Sequence, residues 1–410
     1  MRKTAAQLLD HVFNRLSGVY AGYSPRRPNR LVIPRFVAIE ERIPSLIEAV
    51  GSRIEIGRLR RPMVVTDPVT WRIAGEELFD QLDRAGLRPL HETVSSNEYA
   101  ETARILTACT REPRVWSEAS APWDRRVYGP KIPSLVFGVG GGTVMDQAKL
   151  VACQLHVPCI TVPTSLANDG IASPFAVIRP GLPDRPAAVT VQANTPLGVL
   201  IDLGRIRPAP GSDDTFFRAT MLSGIGDAVS NLSAVADWRL AARQGRDLLD
   251  YVALLQARSA GEAVLWRLSE GTALDDPDLV LTLASGLVSS GEAMTRVGSS
   301  RPASGFEHKF YHAFKNVLCF PAPVSHGVLV AVGTLVSLEA HGAPLEPLRS
   351  CFQRIGLPVD LAGLEALGLQ PDAVEAAIRA SVRVKPERYT ILEHLGPDAL
   401  VRAFRTAFGG

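Results

Sequence analysis

The chain lacks most of the features that sort a protein quickly. It has no strong charge of one sign: 44 Lys and Arg against 42 Asp and Glu leave a formal net charge of +2. That balance gives no electrostatic case for nucleic acid or a membrane surface as a partner. Cysteine is scarce, with Cys109, Cys153, Cys159, Cys319 and Cys351 scattered and no C-x-x-C pair among them. A disulfide framework and a thiolate zinc site are thereby excluded, and a reducing cytoplasm is the expected setting. No apolar run reaches the ~18 residues that would span a bilayer, so membrane insertion is not expected. Nor is there a signal-peptide core: within residues 4–19 the helically spaced Leu8, Leu9, Val12, Phe13 and Leu16 are interrupted by Asp10, His11, Asn14 and Arg15. Arg26-Arg27 is followed by no hydrophobic segment, so it reads as a basic turn. No internal repeat or low-complexity segment is visible.

What is present is a soluble composition, 46% hydrophobic and 21% charged, on 410 residues, too long for one ordinary core. Residues 1–34 read as a helical extension with a Pro/Arg-rich connector. From 35 to 207 helical and strand-like patterns alternate. Residues 43–50 look helical, 61–67 form a short buried strand, and 71–85 form a helix closed by Gly86. Residues 135–139 are a strand running into Gly140-Gly141-Gly142, 143–155 a helix, and 159–163 a strand. A hairpin of 175–179 and 188–192 follows, and 198–202 is the last strand. This βαβ rhythm predicts an α/β, Rossmann-like domain built on a parallel sheet. After the linker of Pro208, Pro210, Gly211, Ser212, Asp213 and Asp214, strand signals vanish. Helical patterns over 215–241, 245–270, 277–297, 304–318, 326–340, 373–383 and 397–408 predict an all-α domain across 208–410.

Histidine is the informative residue. Of eight in the chain, His308 and His312 lie four apart, on one face of a helix, and His326 follows closely. Three imidazoles so near one another suggest a metal site, although histidines at helical spacing are also ordinary polar surface. Asp227, within the small and apolar run Gly224-Ile225-Gly226-Asp227-Ala228, is a carboxylate that needs a partner. It is either a metal ligand or a paired structural Asp. Together with two imidazoles it would make an open divalent-metal site. The turn Gly138-Val139-Gly140-Gly141-Gly142-Thr143-Val144-Met145-Asp146 joins a strand to a helix, where small residues and a helix N-terminus suit a diphosphate. With Thr143 at the third glycine position it is not a strict G-x-G-x-x-G. The polar segment Thr161 to Pro174 follows the next strand, where open α/β sheets bind ligands and where ordinary loop residues also collect. Asp237-Trp238-Arg239 reads as structural.

These residues together resemble the sn-glycerol-1-phosphate dehydrogenase family, within the superfamily of iron-containing alcohol dehydrogenases, glycerol dehydrogenase and 3-dehydroquinate synthase. The resemblance runs from about residue 37 to 340. It rests on Gly140-Gly141-Gly142 with Asp146, on Pro163-Thr164-Ser165 with Asp169-Gly170-Ile171-Ala172-Ser173-Pro174, on Gly226-Asp227 with Asp237-Trp238-Arg239-Leu240, on Ser300-Arg301-Pro302-Ala303-Ser304-Gly305 with Glu307-His308 and His312, and on His326-Gly327. It implies an NAD(P)-binding domain, a helical domain and an active site in the cleft between them. NAD(P)H would lie on Gly140, Gly141, Gly142, Thr143 and Asp146, on Thr164, Ser165 and Ala167, and near Ser173. Asp227, His308 and His326 would hold Zn²⁺, a donor set that suits Ni²⁺ and Fe²⁺ as well. Asp169, Asp227 and His312 would contact substrate, with His312 and Asp169 as the catalytic candidates. The implied reaction moves hydride between NAD(P)H and dihydroxyacetone phosphate or a similar polyol phosphate, in a homo-oligomer. A cyclase like 3-dehydroquinate synthase, or an alcohol dehydrogenase for another carbonyl compound, are the alternatives. Arg301 and Lys315 are candidates for the phosphate. Three departures bear on the substrate: Asn168 where a histidine is common, Phe306 where a small residue is usual, and Val328 where Glu commonly follows His-Gly.

Overall fold

The computed structural model describes residues 34–59, 61–110, 132–181, 188–208, 214–321 and 324–409. The expected N-terminal helix, the tip of the hairpin turn and most of the 208–214 linker lie outside them. Two compact units emerge, one of residues up to Ser165 with Gly170–Ile206, the other of Leu166–Asp169 with Arg207–Gly410.

The first unit is a six-stranded, wholly parallel sheet. Its strands are β1 (Phe36–Glu40), β2 (Met63–Thr66), β3 (Leu90–Thr93), β4 (Val136–Gly140), β5 (Cys159–Pro163) and β8 (Gly198–Asp202), in the order β1-β8-β5-β4-β2-β3. Burial explains that order. The strands β2, β4, β5 and β8 are buried along their whole length and read as apolar runs, as central parallel strands must. The half-buried β1 and β3 take the two edges. Those two were the strands missed from the sequence, because a four- or five-residue edge strand carries no run of buried residues to betray it. Helices α1 (Leu46–Gly51), α2 (Glu76–Arg84), α3 (Tyr99–Thr110) and α4 (Gly142–Leu155) connect the strands. Separate apolar clusters lie around Leu46, Leu78 and Phe137 and around Ile105, Val136 and Val151. The helix expected over 71–85 opens instead as a π-turn, Trp71–Gly75, before α2. The strands β6 (Phe175–Ile178) and β7 (Val189–Gln192) form the expected antiparallel hairpin.

The second unit is helical. Its long elements are α5 (Thr215–Arg243), α6 (Tyr251–Ser269), α7 (Pro277–Val297), α8 (Phe306–His312) and α9 (His326–Ala340). Asp214, Asp250 and Asp276 cap the first three through their carboxylates. The helix expected over 304–318 is shorter, ending in a π-turn at Ala313–Val317. Then come α10 (Leu348–Ile355), α11 (Leu361–Ala366), α12 (Pro371–Ala380), α13 (Ile391–Leu395) and α14 (Pro397–Phe408); α10, α11 and α13 were not foreseen. Among the described residues no helix is long and apolar enough to cross a membrane.

Helices α5 and α9 approach through glycine. A Cβ on Gly226 would lie 2.8 Å from the carbonyl carbon of Gly327, and one on Gly327 would lie 2.7 Å from the Cα of Ser223. Both are closer than any real side chain tolerates, so only glycine allows this contact. Asp227 and His326 are the neighbours of these glycines in the chain.

Candidate metal centre and active site

Asp227 sits mid-way along α5, in a helix turn buried on all sides. Its Oδ1 lies 3.0 Å from Nε2 of His326, the first residue of α9, and 3.6 Å from Nε2 of His308 on α8. The three candidate ligand atoms all fall within 4.8 Å of one another. Donors spaced about 3.3–3.5 Å apart are what a tetrahedral ion with bonds near 2.0–2.1 Å requires. The other carboxylate oxygen, Oδ2, accepts the backbone N–H of Asp169 at 2.9 Å. Asp227 is therefore fixed by its back oxygen while the front one faces both imidazoles.

The electrostatics call for a cation. Burial pushes the Asp227 carboxyl up, but hydrogen bonds and charge from His308 and His326 outweigh it and hold the group well below the usual carboxylate range. Burial disfavours a charged His308, yet Asp227 and Glu307 prevail and raise it to about 9. Without a metal, a proton on His308 balances these two buried carboxylates. A divalent ion would do the same with the imidazole neutral, so the residues fit such a group.

Glu307 was missed as a functional residue. It is fully buried, and its Oε1 accepts from the Gly305 N–H at 2.5 Å and pairs with His308 Nδ1 at 2.9 Å, while Ser233 Oγ–H donates to Oε2 at 2.9 Å. A carboxylate on Nδ1 sets the imidazole tautomer and turns Nε2 toward Asp227. In the sequence it stood only as a motif residue directly before His308, with no role attached.

His312 lies one turn further along α8, buried, with Nδ1 2.9 Å from the Asn316 side-chain amide nitrogen. The amide N–H donates, so Nδ1 accepts and the ring proton belongs on Nε2. Burial, then the positive surroundings of Lys385, His308, His326 and Arg388, push the His312 pKa well below its ordinary value. The ring is a neutral donor, not an imidazolium. Asp169 accepts from Ser290 Oγ–H at 2.9 Å, and Ser290 Oγ is also 3.3 Å from Asn231 Oδ1.

In the first unit, the register sets Gly140 opposite Pro163, so the Gly140-Gly141-Gly142 turn and Thr164 share the carboxyl edge of the sheet. Thr164 N–H donates to the Gly140 carbonyl at 3.0 Å. Gly141 is the N-cap of α4, and a Cβ there would meet nothing nearer than Ser165 Oγ at 3.6 Å. Gly140 is small for another reason: its Cβ would lie 2.7 Å from Val144, so helix packing demands the glycine. Thr143 follows in the first turn of α4. Asp146 accepts from Val177 N–H at 2.9 Å and lies 3.2 Å from Lys149 Nζ. Lys149, fully buried, also donates to the carbonyls of Gly170 at 2.8 Å and Ser173 at 3.3 Å, so it organises the loop that carries Ser173. Ala167 falls in the short segment Leu166–Asp169 that belongs to the helical unit.

Phe306 and Val328 are core residues, 0% and 8% exposed, and Phe306 packs beside Phe310 with ring centroids 6.4 Å apart. Asp237 is structural: it accepts from Phe306 N–H and Ile391 N–H, each at 2.7 Å, and lies 2.9 Å from His341 Nε2.

Comparison with known proteins agrees with this architecture. A sequence model of the iron-containing alcohol dehydrogenases matches residues 43–210. The chain is 34% identical over 372 residues to a glycerol-1-phosphate dehydrogenase (NAD(P)+) of Hyperthermus butylicus, covering 90% of this chain and 95% of that one. It is 32% identical to the enzyme of the same name from Thermococcus kodakarensis, over 92% and 96% of the two chains. Among solved structures, a probable glycerol dehydrogenase of Sinorhizobium meliloti superposes with a TM-score of 0.68 at 19% identity, covering 92% of this chain and 97% of that one. An iron-containing alcohol dehydrogenase of Thermotoga maritima gives 0.60 at 15%, over 93% and 99%. The chain belongs to the glycerol-1-phosphate dehydrogenase family of the iron-containing alcohol dehydrogenases.

Proposed function

We propose that this protein is a metal-dependent NAD(P) oxidoreductase that interconverts dihydroxyacetone phosphate and sn-glycerol 1-phosphate. The observation that carries the reading is the convergence of Asp227, His308 and His326, with His312 on the same helix as His308. Residues 35–207 are assigned to the nucleotide, and residues 208–410 to metal and substrate.

A divalent ion on Asp227, His308 and His326, Zn²⁺ by preference, would supply Lewis acidity toward a substrate oxygen. Reduced nicotinamide would supply the hydride. The chain's own residues do the rest. Glu307 fixes the tautomer of His308, and the Asp169 N–H holds Asp227 in place. His312, neutral with its proton on Nε2, would donate a hydrogen bond to the oxygen that becomes a hydroxyl and order the water that delivers the proton to it. Asp169, held by Ser290, accepts from a substrate hydroxyl. The backbone N–H groups at the start of α4, with Gly141 and Gly142 leaving room, receive the diphosphate. Thr143, Thr164, Ser165, Ala167 and Ser173 complete the nucleotide contacts.

The test is absorbance at 340 nm, the band of reduced nicotinamide, with dihydroxyacetone phosphate, each cofactor and added Zn²⁺. Oxidation that stops in His308→Ala, and falls about 10²- to 10⁴-fold in kcat for His312→Ala, is expected. A metal-replete, NAD(H)-binding protein that turns over no dihydroxyacetone phosphate would refute the reading.

A further inference from the structure

The reaction proposed above leaves one end of the substrate unaccounted for, since neither the metal ligands nor His312 offers a positive charge to a phosphate. The turn between α12 and α13 supplies one. We propose that Lys385 and Arg388, backed by Arg301, form the subsite that takes the phosphate of the substrate. This rests on the phosphorylated-substrate reading, in which Arg301 was already a candidate, and adds Lys385 and Arg388, to which that reading assigned no role.

Three observations support it. First, the turn is tied to the start of the active-site helix. Arg388 donates to the carbonyl of Ser304 at 2.6 Å and to Ser300 Oγ at 2.9 Å, and Lys309 of α8 donates to the Arg388 carbonyl at 3.3 Å. Val384, the residue before Lys385, shares a buried apolar cluster with Ala313, the residue after His312.

Second, positive charge here exceeds its partners. Lys309 is matched by Glu393 at 2.5 Å and Arg301 by Asp247 at 2.5 Å. Among the described residues Lys385 Nζ has no hydrogen-bond or ion-pair partner, and the guanidinium of Arg388 has only a carbonyl and a hydroxyl. Arg301, 6% exposed, keeps a buried Nη1 with no hydrogen-bond partner. A buried guanidinium nitrogen left unpaired is costly, and an anion would satisfy it. Burial and then Arg388 push Lys385 down to about 7, while burial and then Arg301 push Arg388 down to about 10. Glu387 and Glu307 pull the other way on both without overcoming this.

Third, Lys385 holds φ at +43°, in the left-handed region that a residue with a Cβ adopts at a cost.

One ammonium and two guanidinia match a tetrahedral dianion with several acceptor oxygens better than a neutral hydroxyl. Arg388 carries structural hydrogen bonds and its substitution can unfold the turn, so Lys385, whose Nζ makes none, carries the test. Wild type, Lys385→Met and Lys385→Arg holoenzymes are compared in kcat/KM for dihydroxyacetone phosphate and for unphosphorylated dihydroxyacetone, and in inhibition by inorganic phosphate. Lys385→Met is expected to cut the preference for the phosphorylated substrate, and to raise the Ki of phosphate, by about ten- to a hundredfold, the worth of one charge-assisted contact. Lys385→Arg is expected to restore most of both. Equal loss on the two substrates with an unmoved phosphate Ki would mean a structural role and would overturn the subsite. Thermal shift with inorganic phosphate reads the same site without turnover. A phosphate-dependent rise in Tm in wild type that Lys385→Met removes supports the subsite even if dihydroxyacetone phosphate proves not to be the substrate. No such rise in wild type overturns it.

Discussion

Replacing Gly327 by alanine should empty the metal centre without touching a ligand. A Cβ at this position would stand 2.7 Å from the Cα of Ser223 on α5, and nearer still to the Ser223 carbonyl. Carbon atoms in contact sit about 3.5–4.0 Å apart, so α5 and α9 must separate by at least about 0.8 Å. Asp227 is one turn along α5 from Ser223, and His326 is the residue before Gly327, so the separation opens the 3.0 Å gap between their donor atoms. Metal–ligand distances tolerate about 0.2 Å. The displacement is several times that. The fold should survive, since overpacking of this kind costs about 1–3 kcal/mol. Purified Gly327→Ala and wild type would be compared for bound metal by atomic absorption, for Tm, and for far-ultraviolet circular dichroism. Gly57→Ala, where an added Cβ meets nothing within 4 Å, is the control. A cooperative unfolding transition with metal reduced well below one equivalent is expected. A variant that retains one tightly held ion at wild-type Tm would refute the claim that glycine contact sets the Asp227–His326 geometry.

Glu307→Gln keeps the shape of the side chain but loses the charge that orients His308. Metal affinity measured by chelator competition should fall about 10- to 100-fold, and an unchanged affinity would deny Glu307 that role. Lys149→Met removes the ammonium that gathers Gly170, Ser173 and Asp146. Taking this ammonium away from the Asp146 carboxylate should destabilise the protein by about 3–5 kcal/mol in denaturant melts and weaken NAD(P)H binding by fluorescence titration; a stable variant with normal affinity would contradict this. Burial raises the Cys153 and Cys159 thiols to about 12 and Cys351 upward, so these groups stay protonated at pH 8 and below. Cys109 is buried as well, and Cys319 alone is exposed. A disulfide reagent at pH 8 should label about one thiol in the native protein and all five after unfolding; rapid labelling of more would show that the core opens.

Part of this protein is written in local pattern. The buried apolar runs at 159–163 and 198–202, between helical stretches, announced a parallel sheet, because strands covered on both faces must be apolar throughout. The spacing of His308 and His312 placed both on one face of α8 by helix geometry alone, and the glycine-rich turn marked the start of α4. The edge strands β1 and β3 were not legible, being short and half exposed. Asp146 was read as a cofactor residue, and its contacts with Val177 and Lys149 became visible only in the tertiary structure. Glu307 was hidden for a similar reason, since the partner that gives it a role is a neighbouring imidazole whose orientation no spacing reveals.

The sequence by itself determined which side chains can bind, through residue type and helical period. Tertiary packing decided which of them meet. Asp227 reaches His326 only because glycines on α5 and α9 let two backbones touch, and Arg388 reaches Ser304 and Lys309 only because a turn folds back over the start of α8. Period is a property of one element, whereas a site is made where elements cross, and the crossing is set by close-packed contacts that no single stretch of sequence contains.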